Sequence, residues 1–329
     1  MTGDLSDRIF NIRNPESFSE SALEIFKFQA ENNPVYRSFI TSLGRNPDSI
    51  KNISDIPYLP VGFFKTRQVV TGNIPVEKVF ESSRTTGDIP SRHFVNDLKI
   101  YEKSFLGTFR FFYGEPSQYF IAALLPSYTE RQNSSLVYMM EGLIRKSMNA
   151  ESGFYEKDLK RLIRSIQKAR SLGQKTFLIG VSFALLDLAS GFSPDLSGTI
   201  VMETGGMKGR RKEITREELH AILKEKLNIP IVHSEYGMTE LMSQAYSKGD
   251  GIFFCPPWMK IMIRDPQDPL SLICGSGVTG GINIIDLANI YSCSFIASDD
   301  YGKLYENGGF GISGRFDNSD VRGCNLMAE

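Results

Sequence analysis

The chain has 329 residues, 41% of them hydrophobic, and its 37 basic and 38 acidic residues leave a formal net charge of -1. This balance excludes a global field that would favour nucleic acid or an anionic membrane, so we expect a small-molecule substrate and neither of those partners. No run of about 18 apolar residues occurs, and "MTGDLSDRIFNIRN" lacks the features of a signal peptide, which predicts a cytoplasmic protein.

The first residues predict a helical entry region over residues 1–72. Apolar residues at helical spacing indicate an amphipathic helix from Phe18 to Asn32, with Ser17 or Ser19 as its N-cap. A second helix is predicted from Val35 towards Gly44, and the mixed apolar run "VGFFKTRQVV" then reads as a strand.

A polar loop from Ser82 to Gly87 follows the predicted strand "EKVFESS". The segment "SRHFV" is expected to leave the loop as extended chain, which places the loop at a strand hairpin, and Asn96 is expected to cap a helix that reaches Phe112. Hydroxyls and backbone N–H groups of such a turn form a nest for a triphosphate, although Arg84 stands where these loops usually have glycine. An ordinary Ser/Thr turn is the alternative.

Strands and helices then alternate over residues 73–249, from "QYFIAALLP" to "IPIVHSEYG". Strands this apolar, separated by crossover helices, predict a mostly parallel, buried sheet. After Gly249 short strands punctuated by Gly, Pro and Asp predict an antiparallel barrel or sheet subdomain over residues 250–314. The four cysteines form no C-x-x-C pair and are expected to be free thiols.

Two motifs follow predicted strands, at the edge where open α/β sheets bind ligands. In "METGGMKGRRKEITREEL", Gly205 and the glycine after it allow a flat ligand to approach, and the basic cluster that includes Lys208 is either a phosphate contact or a solvated face. In "HSEYGMTE", a tyrosine can stack on a base, a threonine can contact phosphate and Glu240 can bind magnesium. His233 is either structural or catalytic.

The C-terminal sequence "ASDDYGKLYENGGFGISGRFDNSDVRGCNLMAE" contains a third candidate group. Asp299 or Asp300 can accept hydrogen bonds from a ribose, and Arg315 can pair with phosphate or ribose oxygens. Exposed turn residues are the alternative interpretation.

In their order and spacing, these motifs resemble those of the adenylate-forming enzymes, a group that includes acyl-CoA synthetases, peptide-synthetase adenylation domains and firefly-type luciferases. From about "LPVGFFKT" onward, the blocks "ETGGMKGRRKEITREELH", "HSEYGMTELMSQAYS", "CPPWMK" and "GRFDNSDVRGCNLM" are similar to the acyl-protein synthetases of bacterial luminescence fatty acid reductases. The resemblance implies an α/β fold: an adenylate-forming core over residues 1–314, with mostly parallel sheets flanked by helices plus a small β-rich subdomain. A truncated hinge and tail would occupy residues 315–329.

The resemblance implies that the chain uses ATP and Mg²⁺ to convert a carboxylic acid, expected to be a fatty acid, into an acyl-adenylate. Positioning and charge stabilisation supply most of the catalysis in such a reaction. The implied ATP contacts are Ser82, Ser83, Thr85, Thr86 and Gly87 at the β- and γ-phosphates, Gly205 and Gly206 along the adenine, Tyr236 and Gly237 at the base, Thr239 at the α-phosphate, Glu240 at magnesium, and Asp299, with Asp300 as the alternative, beside Arg315 at the ribose.

The chain ends 14 residues after Arg315, so the resemblance implies that it lacks the mobile C-terminal domain and lysine of larger relatives. Arg84 and Lys208 are candidates for the missing cation; a non-glycine residue at positive φ costs roughly 1 to 2 kcal/mol, which Arg84 can tolerate. Cys324 is implied as the acyl acceptor that forms a thioester, with an acyl-CoA reductase or another acyl-acceptor protein as partner. A carboxylate-CoA ligase and a degenerate nucleotide- or acyl-binding subunit are the alternatives.

Overall fold

The computed structural model describes residues 2–83, 89–125, 132–156, 158–205 and 214–315. These residues form an α/β fold with one large sheet of twelve strands, helices packed on it, and a separate sheet of two strands. The predicted fold class is confirmed.

The helices in the described residues are α1 (Thr2–Ile9), α2 (Pro15–Asn32), α3 (Pro34–Ser42), α4 (Phe63–Thr66), α5 (Leu98–Tyr113), α6 (Ser135–Ser147), α7 (Leu159–Ser171), α8 (Ser182–Phe192) and α9 (Arg216–Leu227). The strands are β1 (Leu59–Pro60), β2 (Lys78–Glu81), β3 (Arg92–Val95), β4 (Tyr119–Leu124), β5 (Gly153–Phe154), β6 (Lys175–Val181), β7 (Thr199–Thr204), β8 (His233–Tyr236), β9 (Ala245–Ser247), β10 (Phe253–Phe254), β11 (Met259–Arg264), β12 (Thr279–Asp286), β13 (Phe295–Leu304) and β14 (Phe310–Arg315). No helix in this part of the chain is both long and apolar enough to span a membrane.

Three local predictions were wrong. A neighbouring residue provides the helix cap in two cases, and packing of a side chain decides the third. Asn14 caps α2, its side chain accepting from the Ser17 N–H at 2.8 Å, so the predicted cap residues lie inside the helix. Asp97 rather than Asn96 caps α5. The run "VGFFKTRQVV" contains the one-turn helix α4 instead of a strand, because Phe64 inserts its side chain into the core at the turn.

The parallel part of the large sheet has the order β5-β4-β6-β7-β8, as the alternation of strands and helices predicts. All six residues of β4 are buried, as are the last six of β6. Burial on both faces is typical of a parallel sheet covered by crossover helices. The carboxyl ends of the paired strands β7 and β8 therefore lie side by side, at the edge of the sheet formed by the strand ends.

The antiparallel part contains β9 to β14, and it continues the same hydrogen-bonded sheet because β9 pairs with β8. Its order from the free edge is β11-β12-β13-β14-β10-β9. The predicted antiparallel pairing after Gly249 is confirmed, while the predicted domain boundaries remain a prediction. Cys255, Cys274 and Cys293 are free thiols, as expected.

The two-stranded sheet is the hairpin β2–β3, in which Glu81 lies opposite Arg92. The polar loop that follows Ser83 connects these strands, so the predicted hairpin is confirmed. Helix α2 of the predicted entry region is bonded to the turn that follows β12. The amide of Gln29, fully buried in α2, donates to the carbonyl oxygens of Asn289 and Ile290 at 2.9 Å.

Candidate active site

Two glycines mark the carboxyl ends of the neighbouring strands β7 and β8. Gly205 has φ +65°, a conformation that L side chains rarely adopt, and its carbonyl accepts from the Ser182 hydroxyl at 2.6 Å. Gly237 is exposed, and a Cβ there would collide with the Glu235 carboxylate. Both glycines follow the last residues of their strands, which is where open α/β sheets bind ligands.

A chain of hydrogen bonds joins Tyr236, Asp300 and Arg315. The Tyr236 hydroxyl donates to Asp300 Oδ2 at 2.8 Å, and Arg315 Nε donates to Asp300 Oδ1 at 3.0 Å. Burial, followed by the Asp300 charge, raises the pKa of Tyr236, so the hydroxyl keeps its proton and remains a donor. The carboxylate uses one lone pair on each oxygen in these bonds and retains acceptor capacity for a further hydroxyl.

The two aspartates of "ASDDYG" differ in burial because successive strand residues point to opposite faces. Asp299 is exposed, whereas Asp300 is 5% exposed and lies opposite Arg315 in the β13–β14 pair. The structure therefore brings Asp300, the alternative of the two, together with Tyr236 and Arg315. The assignment of Asp299 to the ribose stays a prediction.

The base of the hairpin lies against Glu240. Ser82 N donates to the Ser91 carbonyl at 3.0 Å, and Ser91 N donates to the Ser82 hydroxyl oxygen at 2.9 Å. The buried Ser91 side chain in turn lies close to the Glu240 carboxyl, whose pKa it lowers. Ser91 therefore lies between Ser82, at the start of the polar loop, and Glu240, the predicted magnesium ligand. The next loop residue, Ser83, is exposed.

Burial raises the pKa of Glu240, which is 6% exposed, and the Ser91 hydrogen bond opposes that shift. No group of three or more His, Cys, Asp or Glu side chains in the described residues could hold a metal by itself. Mg²⁺ commonly binds one or two carboxylates together with substrate phosphates and water, so a single buried carboxylate fits a magnesium-nucleotide complex. A nearby cation would also favour the charged form of Glu240.

The backbone of Thr239 and Glu240 is held by His93 and Asn289. His93 Nδ1 lies 2.8 Å from the Thr239 carbonyl oxygen, and its Nε2 lies 3.0 Å from Asn289 Oδ1. The Asn289 amide nitrogen donates to the Glu240 carbonyl oxygen at 2.8 Å. Burial lowers the pKa of His93 to about 4, although both hydrogen bonds oppose the shift.

Asp286, at the end of β12, holds the residues that follow Glu240. Its carboxylate accepts from the N–H groups of Met242 and Ser243 at 2.8 and 2.9 Å and from the Ser243 hydroxyl at 2.6 Å. The Ala288 N–H adds a fourth bond at 3.2 Å. This fully buried carboxylate is satisfied by local donors, as a structural anchor must be.

His233 lies at the amino end of β8, three residues before Tyr236. Its Nδ1 is 3.0 Å from the Tyr113 hydroxyl, and burial, followed by the charge of Lys248, lowers its pKa to about 4. The structural interpretation of this histidine therefore fits its position.

Several predicted site residues lie outside the described residues: Arg84, Thr85, Thr86, Gly87, Gly206, Lys208 and Cys324. Sequence reasoning missed Ser91, His93, Asp286 and Asn289. Asp286 and Asn289 occur in the apolar run "IIDLANI", where only the fold shows what they contact.

No family model matches the chain, and no curated protein sequence is significantly similar to it. Among solved structures, 2-hydroxyisobutyryl-CoA ligase in complex with R3-HIB-AMP is similar with a TM-score of 0.63 and 14% identity over 91% of this chain and 68% of that one. ATP-bound MatB from Rhodopseudomonas palustris has a TM-score of 0.51 and 16% identity, and the match covers 86% of this chain and 58% of that one. A third similar structure is O-succinylbenzoate coenzyme A synthetase (MenE) from Bacillus subtilis in complex with ATP and magnesium. Its TM-score is 0.51 at 16% identity, and the match covers 72% of this chain and 49% of that one.

This chain spans about half to two thirds of the length of these structures. At such identities the likeness concerns the fold alone. The described residues have the core fold of the adenylate-forming enzymes.

Proposed function

We propose that this protein is an ATP-dependent ligase that activates a carboxylic acid as an acyl-adenylate. The observation that carries the proposal is the convergence of three groups at one sheet edge: the base of the polar hairpin, the buried Glu240 carboxylate, and the Tyr236–Asp300–Arg315 chain. The fold supports it, because structures that share this fold contain ATP or an adenylate.

In the proposed reaction a carboxylate oxygen of the acid attacks the α-phosphorus of ATP and pyrophosphate leaves. The hairpin loop, beginning with Ser82 and Ser83 and continuing through Thr85, Thr86 and Gly87, would hold the β- and γ-phosphates. The Thr239 hydroxyl would donate to the α-phosphate. Arg84 and Lys208 are the proposed cations that offset its developing charge.

The nucleoside would lie along the edge formed by Gly205, Gly206 and Gly237, with its base against Tyr236. Asp300 would accept from a ribose hydroxyl and Arg315 would stabilise that carboxylate. The exposed Asp299 remains a competing ribose ligand. Because Tyr236 is fixed by Asp300, base and ribose recognition are linked through one hydrogen bond of 2.8 Å.

Glu240 would hold Mg²⁺ together with phosphate oxygens. The ion, when bound, neutralises phosphate charge. The neighbouring Ser91 side chain would help to orient this buried carboxylate. The residues described here fit that role because they provide one directed carboxylate and leave the other ligand positions to the nucleotide.

For the second step we propose transfer of the acyl group to the Cys324 thiol. The thiolate would attack the acyl carbon of the mixed anhydride, AMP would leave, and a protein thioester would form. A fatty acid as substrate, an acyl-CoA reductase or other acceptor protein as partner, and a cytoplasmic location belong to this proposal. The resemblance of "RGCNLM" to acyl-protein synthetases supports it.

The test is acid-dependent exchange of labelled pyrophosphate into ATP over a panel of fatty, aryl and short branched acids. Replacement of Glu240 by Gln should lower the exchange rate about 100-fold, because the metal ligand loses its charge. The matched control is Glu141→Gln on the exposed face of α6, which should leave the rate unchanged.

Absence of exchange with every acid, while ATP still raises the melting temperature, would identify a nucleotide-binding subunit instead. If exchange occurs, Cys324→Ser separates the acceptors. Loss of covalent label from radioactive acid supports the protein thioester, whereas unchanged formation of a CoA ester supports a carboxylate-CoA ligase.

A further inference from the structure

We propose that His93 is a positioning residue that fixes Thr239 and Glu240 relative to the polar hairpin, and this inference rests on the proposed function. His93 contacts neither predicted substrate position directly. It acts on the backbone from which the phosphate-binding hydroxyl and the metal-binding carboxylate project.

His93 lies on β3, the strand of the hairpin that returns from the polar loop. Ser91 and His93 are two residues apart, so their side chains leave the chain on the same side. His93 Nδ1 lies 2.8 Å from the Thr239 carbonyl oxygen, and the Ser91 side chain lies close enough to the Glu240 carboxyl to lower its pKa. The strand that returns from the polar loop thus meets the segment that carries both predicted ligands at two neighbouring positions.

Asn289 extends the link to the next peptide. His93 Nε2 lies 3.0 Å from Asn289 Oδ1, and the amide nitrogen of Asn289 donates to the Glu240 carbonyl at 2.8 Å. Two consecutive carbonyl groups, those of Thr239 and Glu240, are therefore held by side chains from two other parts of the chain. Fixing both carbonyls sets the orientation of the Glu240 residue between them.

Both side chains of this link are buried. His93 is 1% exposed and Asn289 is 2% exposed, so both contacts are shielded from bulk water. A buried carbonyl oxygen that loses its hydrogen-bond donor costs more free energy than the same oxygen at the surface, where water replaces the donor. Phe64 also packs its ring edge-to-face on the imidazole at a centroid distance of 5.9 Å, which restricts the ring further.

The consequence for the proposed reaction is geometric. A ligand displaced by about 1 Å can lower the rate of a positioned reaction about 100-fold. Loss of the His93 link would let Thr239 and Glu240 shift while the remaining nucleotide contacts, such as the Tyr236–Asp300–Arg315 chain, stay in place. We therefore expect the turnover number to fall and the KM for ATP to change little.

The test compares three variants at position 93 with matched variants of a second buried histidine. Asn at position 93 can place its amide nitrogen where Nδ1 was and keep the bond to the Thr239 carbonyl, whereas Gln reaches the Nε2 position and Phe makes neither bond. His233, 9% exposed and bonded to Tyr113, receives the same three substitutions as the control.

We expect His93→Phe to lower kcat for acid-dependent pyrophosphate exchange about 10- to 100-fold, with the KM for ATP changed less than about threefold. His93→Asn should recover most of the rate, and His93→Gln should recover less. The His233 variants should reduce stability without a selective fall in kcat. An unchanged kcat in His93→Phe, or equal losses at positions 93 and 233, would overturn the proposal.

A second measurement does not depend on activity. Amide hydrogen exchange across residues 237–243, in the protein without nucleotide, should become faster in His93→Phe and stay unchanged in His233→Phe. Absence of pyrophosphate exchange in the unsubstituted protein would refute the proposed function alone. Unchanged amide exchange in His93→Phe would refute the positioning role whatever the activity.

Discussion

The parallel strands β4 to β8 and the antiparallel strands β9 to β14 contribute different components to the candidate site. The parallel strands supply an apolar, buried platform and two glycines, Gly205 and Gly237, at its edge. The antiparallel part supplies the charged side chains of Asp300 and Arg315 and the buried anchor Asp286. Stability and chemistry should therefore respond differently to substitutions in the two parts.

The largest expected effect on stability comes from the parallel part. Leu178 is fully buried in β6, so Leu178→Ala should lower the free energy of unfolding by about 2 to 5 kcal/mol through lost burial and a residual cavity. Urea unfolding measures the change. The kcat for pyrophosphate exchange of the remaining folded protein should be unchanged, and a parallel fall in kcat would contradict the separation of platform and chemistry.

The next effect comes from the antiparallel part. Asp300→Asn removes the charge that pairs with Arg315 and weakens the acceptor of Tyr236, so kcat/KM for ATP should fall about 100-fold. Asp299→Asn, at an exposed neighbouring position, is the matched control and should have a smaller effect. If Asp299→Asn has the larger effect, the ribose ligand is Asp299 and the Asp300 chain is structural.

The same contrast explains what the sequence could predict. Apolar strand runs are local patterns, so the sequence predicts the parallel sheet, which is confirmed. The glycine pair and the motif from Tyr236 to Glu240 are also local patterns, and the roles that they indicate stay predictions. The choice between Asp299 and Asp300 could not be predicted, because it depends on which face of β13 turns inward, and a register shift after Tyr301 interrupts that strand's pairing with β14.

The anchors of the site were the least predictable residues. His93 and Asn289 are 196 positions apart, and neither lies in a motif whose composition indicates a ligand. Their role arises from topology: the hairpin and the turn after β12 meet at the same loop only once the sheet has formed. Local rules also failed at α4 and at the N-cap of α2, where packing or a neighbouring asparagine decided the structure.

The smallest expected effect is a pH dependence of stability to which His93, in the hairpin, and His233, in the parallel part, both contribute. The folded-state pKa of His93, at about 4, lies below the usual value of 6.5, so the unfolded chain binds the proton more readily. The stability contributed by neutral His93 is complete above pH 6.5 and is lost as the pH falls from 6.5 towards 4. Between pH 7.5 and 5.5 this loss should be roughly 1 kcal/mol.

Urea unfolding at these two pH values checks the prediction. The pKa of His233 is lowered in the same direction, so His93→Asn should remove only part of the pH dependence and the double variant with His233→Asn should remove more. A neutral imidazole has one proton for the two oxygen atoms that face His93, whereas the imidazolium has two. If His93→Asn leaves the pH dependence unchanged, the two oxygens offset the effect of burial and the pKa of His93 is not lowered. If the variant makes acid more destabilising, the two oxygens stabilise the charged ring more than burial opposes it, and the contribution of His93 is electrostatic as well as positional.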